Sequence, residues 1–323
     1  MISADLAETV LFAPITEGAD TLNIVTGYAS PTMVSWYLTS LQEHRNRMKF
    51  PIVHVNLIVG MTPIDGIRAS SHSGFQELHR VSGSDDIPDT FSCSYIFDFP
   101  AVRSNLYVWT KDAIPMTSFA GSAPFLQSSF LPSRIEDLME STDPVDSFKY
   151  YQSIEQRSMF CIHAEIEQQV RITNDFPSEQ QLQDQQVKTD DEITLSLLTR
   201  TGKVGKRSGL NWGQREGRNP NEAYIPVPRD VSSSGFFPNN GQQFTVQTDD
   251  HKSLILRLEQ DGDKALATPL SNSLLGEYFR GRLGLGNGQF VSLQDLERYG
   301  RHDVTFTKID EEQFYMDFSR PVK

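Results

Sequence analysis

Apolar positions in the first half of the chain fall into two alternating patterns. Residues 21–28 (TLNIVTGY) and 52–60 (IVHVNLIVG) are branched runs that lead into glycine, as buried strands do. Between them Val34, Tyr37, Leu38 and Leu41 recur at three- and four-residue spacing, which predicts a helix over 30–44. Strand, helix, strand in that order predicts a right-handed parallel crossover. Further strands are expected at 93–97, 105–110 and 117–120, and a helix at 145–157. The first half therefore reads as an α/β layer.

The pattern changes after residues 174–192 (NDFPSEQQLQDQQVKTDDE), a Gln- and Asp-rich stretch with little to bury. It reads as an interdomain linker, part of it suited to a surface helix. Beyond it come short strands at 193–198, 223–227, 244–248, 253–259, 304–309 and 314–318, broken by glycine and proline. Strands of that length predict a small barrel or sandwich. The expected organisation is an α/β domain at 1–173, a linker at 174–192 and an all-β domain with small helices at 193–323. No internal repeat is visible.

Composition narrows the functional classes. A chain of 323 residues with 38% hydrophobic and 22% charged residues suits two soluble domains. No apolar run approaches the roughly 18 residues of a membrane span. The opening MISADLAETVLFAP carries acids where a signal peptide has Lys or Arg, so a cytoplasmic location is expected. Two cysteines, Cys93 and Cys161, make no disulfide framework, and no Cys/His group has zinc spacing. Neither a metal nor another cofactor is expected.

The net charge of −13 is unevenly placed. Residues 191–323 hold 17 basic and 18 acidic side chains, a balance of −1, so −12 falls on the first 190. Between 199 and 218, Arg200, Lys203, Lys206, Arg207, Arg215 and Arg218 face a single acid, Glu216. Because screening acts within about 8–10 Å, such a stripe binds phosphate even on an acidic protein.

Two resemblances give these features a function. Arg103-Ser-Asn-Leu-Tyr-Val-Trp109 followed by Phe119-Ala-Gly-Ser-Ala-Pro124 resembles the phospholipase D nuclease fold and, more narrowly, the NgoFVII family of restriction endonucleases. Gly27-Tyr-Ala-Ser30, Leu57-Ile-Val-Gly-Met61 and Tyr150-Tyr151 sit at comparable segments, and the likeness covers residues 5–170. The resemblance implies a His-x-Lys triplet, then Gly-Ser-x-Asn and an acid. In that chemistry histidine attacks phosphorus, lysine neutralises the phosphoryl oxygens, and two motif copies meet in a homodimer without a metal.

Here Arg103 stands at the histidine position, Asn105 at the lysine position and Pro124 at the asparagine. Ser122 keeps the serine, and Asp137 is a shortened version of the acid. A guanidinium has no usable lone pair and does not deprotonate near neutrality, so Arg103 cannot be the nucleophile. None of the seven histidines has lysine two positions later. Three readings remain open: a pseudo-nuclease scaffold, a chain that cuts only beside a catalytically intact subunit, and an active endonuclease whose site lies elsewhere. A DNA-binding regulator that has lost the reaction is a further alternative.

The second resemblance covers about 193–320. Gly209-Leu-Asn-Trp-Gly-Gln-Arg-Glu-Gly-Arg-Asn-Pro-Asn-Glu-Ala-Tyr-Ile-Pro226 is similar to the first arm of a B-three-type DNA-binding pseudobarrel. Asn272 and Leu275-Gly-Glu-Tyr-Phe-Arg-Gly-Arg-Leu-Gly284 are similar to its second. The resemblance implies two arms gripping the major groove of double-stranded DNA. Arg215, Arg218, Gln214, Asn211 and Asn221 have side chains suited to base edges, whereas Lys203, Lys206 and Arg207 suit phosphates.

Trp212 and Tyr278 read first as packing residues of the arms. Arg280 and Arg282, two apart on an expected strand, would share one face and enter the groove, with surface ion pairs to Glu277 or Asp295 as the alternative. Glycines 281, 284, 286 and 288 lack the Gly-Lys-Ser/Thr of a phosphate loop. The expected partners are double-stranded DNA and a second copy bound through the N-terminal domain. Family likeness adds a separate helicase-like ATPase or an intact subunit.

Overall fold

The branched runs pair as their spacing requires. β1 (Thr21–Thr26) lies parallel to β2 (His54–Val59), with Thr21 opposite His54 and Thr26 opposite Val59. A long helix, α1 (Pro31–Arg47), joins them, as the apolar period predicts. The computed structural model describes residues 2–47, 50–131, 135–174, 192–309 and 312–320. The chain divides into two compact units, Met1–Asp175 and Phe176–Lys323. Residues 175–191 of the expected linker lie outside the described residues.

The remaining strands of the first unit are β3 (Ile67–Arg68), β4 (Thr90–Ile96), β5 (Asn105–Lys111), β6 (Ile114–Gly121), β7 (Leu138–Glu140), β8 (Ser158–Phe160) and β9 (Ile172–Thr173). Seven of them form one sheet in the order β7-β6-β5-β1-β2-β4-β8, and β3 pairs with β9. β1, β2 and β4 are parallel, whereas β5 runs antiparallel to β1 and β6 antiparallel to β5. The C-terminal end of β1 therefore meets the start of β5 and the end of β6.

Helices cover the sheet. α2 (Ala69–Val81) packs on β4, where Phe75 meets Phe91 at 6.2 Å. α3 (Pro144–Glu155) puts Tyr151 and Ile154 against Val25, Ile58, Leu106 and Val108. The side chains of Tyr107 and Trp109 point away from that cluster. Trp109 Nε1 donates to Val10 O at 2.7 Å, and Tyr107 packs against Phe125, which also meets Tyr37 of α1. Because both faces of β1 are covered, Leu22 to Thr26 are buried without alternation, Asn23 and Thr26 included.

The second unit contains β10 (Glu192–Ser196), β11 (Ile225–Pro226), β12 (Gln243–Thr248), β13 (Ser253–Glu259), β14 (Ala265–Ala267), β15 (Asp303–Lys308) and β16 (Gln313–Asp317). They form one sheet, β10-β15-β16-β12-β13-β14-β11, whose edge strands β10 and β11 approach each other, so it curls into a nearly closed barrel. Every pair is antiparallel except β12 with β16. Phe237, Phe244, Phe306 and Phe314 fill its interior, with Phe244 and Phe314 rings 4.8 Å apart.

One expected element changes type. Residues 275–284 are no strand-and-loop arm: they belong to α4 (Ser273–Leu283), which ends at Gly284 in the left-handed conformation (φ 70°). Leu275, Tyr278, Phe279 and Leu283 have helical spacing and are buried, a period that the intervening glycines obscure. A second helix, α5 (Leu293–Tyr299), opens with a capping box of Ser292 and Asp295.

Arg282 of α4 joins helix to barrel. It donates to Asp249 at 2.6 and 2.8 Å, to Tyr299 OH at 2.7 Å and to Phe318 O at 2.9 Å. Burial by itself raises the neighbouring Asp250 carboxyl. The hydrogen bond from Thr248 and the charges of Arg282 and Lys252 outweigh it and hold the group below its ordinary 3.8. Its contribution to stability is thus complete above pH 3.8 and disappears as pH falls through the lowered value. Arg282→Met takes the cation from the largely buried Asp249 and one of two cations from the partly exposed Asp250, and should cost about 2–4 kcal/mol of stability. Thermal melts check this: the variant should melt below the wild type at neutral pH, and the wild type should itself lose stability below pH 4. Equal melting temperatures would contradict the account.

Candidate nuclease site and DNA interface

Three strand ends build the nuclease position. In the β5–β6 register Asn105 lies opposite Gly121. The Asn105 Oδ1 accepts from Thr26 Oγ1 at 2.8 Å and Gly27 N at 3.4 Å, and its Nδ2 donates to Gly121 O at 3.2 Å and Ser122 O at 3.0 Å. Those four bonds use the full capacity of an amide. Asn105 thus staples β1, β5 and β6, and it brings no charge. A Cβ on Gly121 would lie 2.3 Å from Asp137 O, so only glycine lets the 136–138 segment close on β6.

That approach places an acid beside the serine. Ser122 Oγ donates to Glu136 at 2.6 Å, lies 3.2 Å from Asp137 Oδ1 and accepts from Asp137 N at 3.0 Å. Arg103, two residues before Asn105, is exposed and has no hydrogen bond or ion pair among the described residues. Tyr28 donates to Asp65 at 2.8 Å; that bond raises its phenol above the ordinary value, with the Arg103 charge opposing. Ser104 Oγ and Tyr150 OH are 3.0 Å apart.

The structure therefore brings Asn105, Ser122 and Asp137 into direct contact, with Arg103 at their rim. Thr26, Asp65 and Glu136 were not singled out in the sequence. Glu136 had a signal, its position beside Asp137; Asp65 had none. No histidine replaces the missing one: the five in this unit bond to Ser40, Thr90, Tyr95, Phe91 and Glu165. Chemically, the position offers a guanidinium, a hydroxyl and amide N–H groups, all of which can bind phosphate, and no imidazole. Among the described residues no group of three or more His, Cys, Asp or Glu is placed to hold a metal, and no helix is long and apolar enough to cross a membrane.

In the second unit the expected DNA contacts divide by burial. Arg200, Lys203, Lys206, Arg207, Arg215 and Arg218 are exposed on one stretch. Arg215 Nε donates to Arg207 O at 2.9 Å, which holds these two cations together. The Arg218 guanidinium stacks 4.1 Å above the Trp212 ring and pairs with Glu222 at 2.6 Å. Trp212 in turn meets Tyr224 edge-on at 5.5 Å and so packs the arm.

The remaining candidates are framework. Asn211 is buried: its Nδ2 donates to Gly205 O and Val291 O, and its Oδ1 accepts from Val291 N. Gln214 donates to Pro220 O and Gly288 O. Asn221 accepts from Gly288 N at 2.6 Å and donates to Glu277 at 3.4 Å. Asn272 accepts from Ala223 N through its carbonyl and precedes α4. Tyr278 is buried against Phe279, its phenol raised chiefly by burial.

Arg280 and Arg282 correct the sequence reading. They lie on a helix, and neither pairs with Glu277 or Asp295. Arg280 is 0% exposed with its guanidinium on backbone carbonyls, while Arg282 pairs with Asp249 and Asp250. Neither side chain is free to enter a groove. The sequence also passed over the loop after α4, where Asn287, Gln289 and Phe290 are exposed beside the first arm.

Comparison with known proteins agrees with both halves. Residues 4–168 match the NgoFVII restriction endonuclease N-terminal PLD domain, and residues 185–310 match the NgoFVII C-terminal B3-like DNA-binding domain. Among solved structures, NucT from Helicobacter pylori is similar over 49% of this chain and 96% of that one, at 12% identity and a TM-score of 0.33. No curated protein matches the chain. The two family matches run nearly end to end, and the chain belongs to the NgoFVII restriction endonuclease family.

Proposed function

We propose that the chain binds a short specific sequence in double-stranded DNA through its 199–222 stretch and 284–291 loop, while its nuclease half acts as a scaffold without cutting. The observation that carries this reading is the row of six exposed cations, of which Arg218 alone is ion-paired among the described residues (to Glu222), on a stretch whose side chains bond to the 288–291 backbone. Cations fixed to a rigid body can register on phosphates, as Lys203, Lys206 and Arg207 would, while Arg215 suits a guanine edge. With this division of labour, Arg215→Ala should cost about 1–3 kcal/mol on the preferred duplex and much less on random DNA. Lys206→Ala should weaken both alike and reduce the salt slope by about one unit. Fluorescence anisotropy across a salt series checks both; equal losses for Arg215→Ala on the two duplexes would leave it as a phosphate contact only.

The scaffold reading rests on the chemistry of two side chains. Arg103 cannot form a phosphorus–nitrogen bond, and Asn105, its amide already engaged, supplies no charge to a pentacoordinate phosphorus. The purified chain should leave DNA carrying its preferred sequence intact, with or without divalent metal. Arg103→His alone should remain inactive; Arg103→His with Asn105→Lys has both missing functions, although Pro124 stays where the family has asparagine. Site-specific double-strand breaks by the unmodified chain, with contaminating nuclease excluded, would refute the scaffold.

The retained contact of Ser122 with Asp137 favours a second reading, in which the chain completes a site only beside a catalytically intact subunit. Exposed apolar side chains around the nuclease position, Tyr28, Ile135, Met139 and Tyr150, suit a symmetric contact there. The full chain should therefore sediment as a dimer at micromolar concentration. A monomer would remove the dimer from the proposal and leave DNA binding in place.

A further inference from the structure

Among the described residues Arg280 is the largest fully buried charged side chain. Its five N–H groups meet five backbone carbonyls: Nε donates to Gln289 O at 2.8 Å, Nη1 to Asn221 O at 3.3 Å and Gly276 O at 3.2 Å, and Nη2 to Leu210 O at 3.2 Å and Pro220 O at 3.0 Å. Leu210, Pro220 and Asn221 belong to the cationic stretch, Gly276 to α4, and Gln289 to the loop after α4. One planar group thus joins both candidate DNA-facing segments and the helix between them.

The surroundings tighten the same joint. Asn211, Gln214 and Asn221 each bridge from the cationic stretch to the 288–291 backbone. A Cβ on Gly276 would lie 1.7 Å from Asn221 O, so α4 approaches the turn at backbone contact. Neither segment has a sheet ladder of its own to hold it: the cationic stretch contains a short 3-10 turn, Gly209–Gln214, and the loop after α4 contains no element. Their separation is set by side-chain donors, and Arg280 supplies the most.

We infer that Arg280 is a positioning residue for DNA recognition: it fixes the spacing of two DNA-facing segments without touching DNA itself. This rests on the proposed reading of those segments. Base readout requires donors within a few tenths of an ångström of their partners, whereas phosphate contacts tolerate displacement, so loosening the joint costs discrimination before it costs affinity. Lysine offers only three donors from one point and cannot span the five carbonyls. Because Arg280 is fully buried, an effect of its replacement on DNA preference is not the loss of a direct contact.

The test uses the full chain as wild type, Arg280→Lys and Asn221→Ala, well below each melting temperature. Amide hydrogen exchange reports the segments, and titration with the selected duplex and a random duplex reports preference. We expect exchange over 205–222 and 284–291 to rise about tenfold in both variants while β12 and β13 stay protected. The preference for the selected duplex should fall about tenfold, a loss of about 1.4 kcal/mol, with random binding little changed. Variants that keep the wild-type preference overturn the inference, whether the segments loosen or not. A wild-type chain that prefers no sequence overturns the DNA reading and this role together, and differs visibly from the first failure, in which the wild type does select a site.

Discussion

A backbone carbonyl that leaves regular structure inside a protein must still find a donor, and this constraint shapes the second unit. Between Ser196 and Ile225 the chain makes no strand. Its carbonyls at 205, 210, 220 and 221 are met by Asn211 and Arg280, with Gln214 also on Pro220. A guanidinium that has left water is costly unless every N–H is satisfied, so the carbonyls and Arg280 depend on each other. The outcome is an irregular stretch with one conformation. Its cations are exposed, while Asn211 and Gln214 bond inward to backbone carbonyls.

The nuclease half uses a similar device for a different end. Asn105 connects three strand ends through four hydrogen bonds, at the position that the sequence resemblance sets against lysine. An ammonium there would present charge to a phosphate; the amide is instead turned to the Thr26 hydroxyl and to backbone groups. Around it Asp65, Glu136 and Asp137 are acidic, and Arg103 is the nearby cation with no ion pair among the described residues. On the proposed reading, the position keeps its architecture without the imidazole and the ammonium that phosphate cleavage would need. The second unit matches a DNA-binding domain and exposes six cations between 200 and 218.

Much of this was legible in the sequence, and the exceptions share a cause. β1, β2, β5, β13 and α1 follow from apolar period alone, because strands buried on one or both faces and a core-facing helix leave unmistakable spacing. Ser122 and Asp137 were found through the Gly-Ser motif, a local signal. α4 was misread because Gly276 and Gly281 look like loop residues, yet Gly276 is there for close packing against Asn221. On a strand, Arg280 and Arg282 would share a groove-facing side; on the helix they do not. Their partners, Asn221, Leu210 and Asp249, are some 30 to 70 positions away, and nothing in residue spacing reports a contact at that range. Asp65, which meets Tyr28, was hidden for the same reason.

Selection of duplexes from a random-sequence pool by the full chain, with the recovered DNA both sequenced and sized, tests the central claim most directly. The account predicts that the recovered molecules share one short sequence and that both strands are full length. Recovery of duplexes with no common sequence would contradict the recognition assignment. A shared sequence on strands cut at a fixed distance from it would contradict the scaffold assignment.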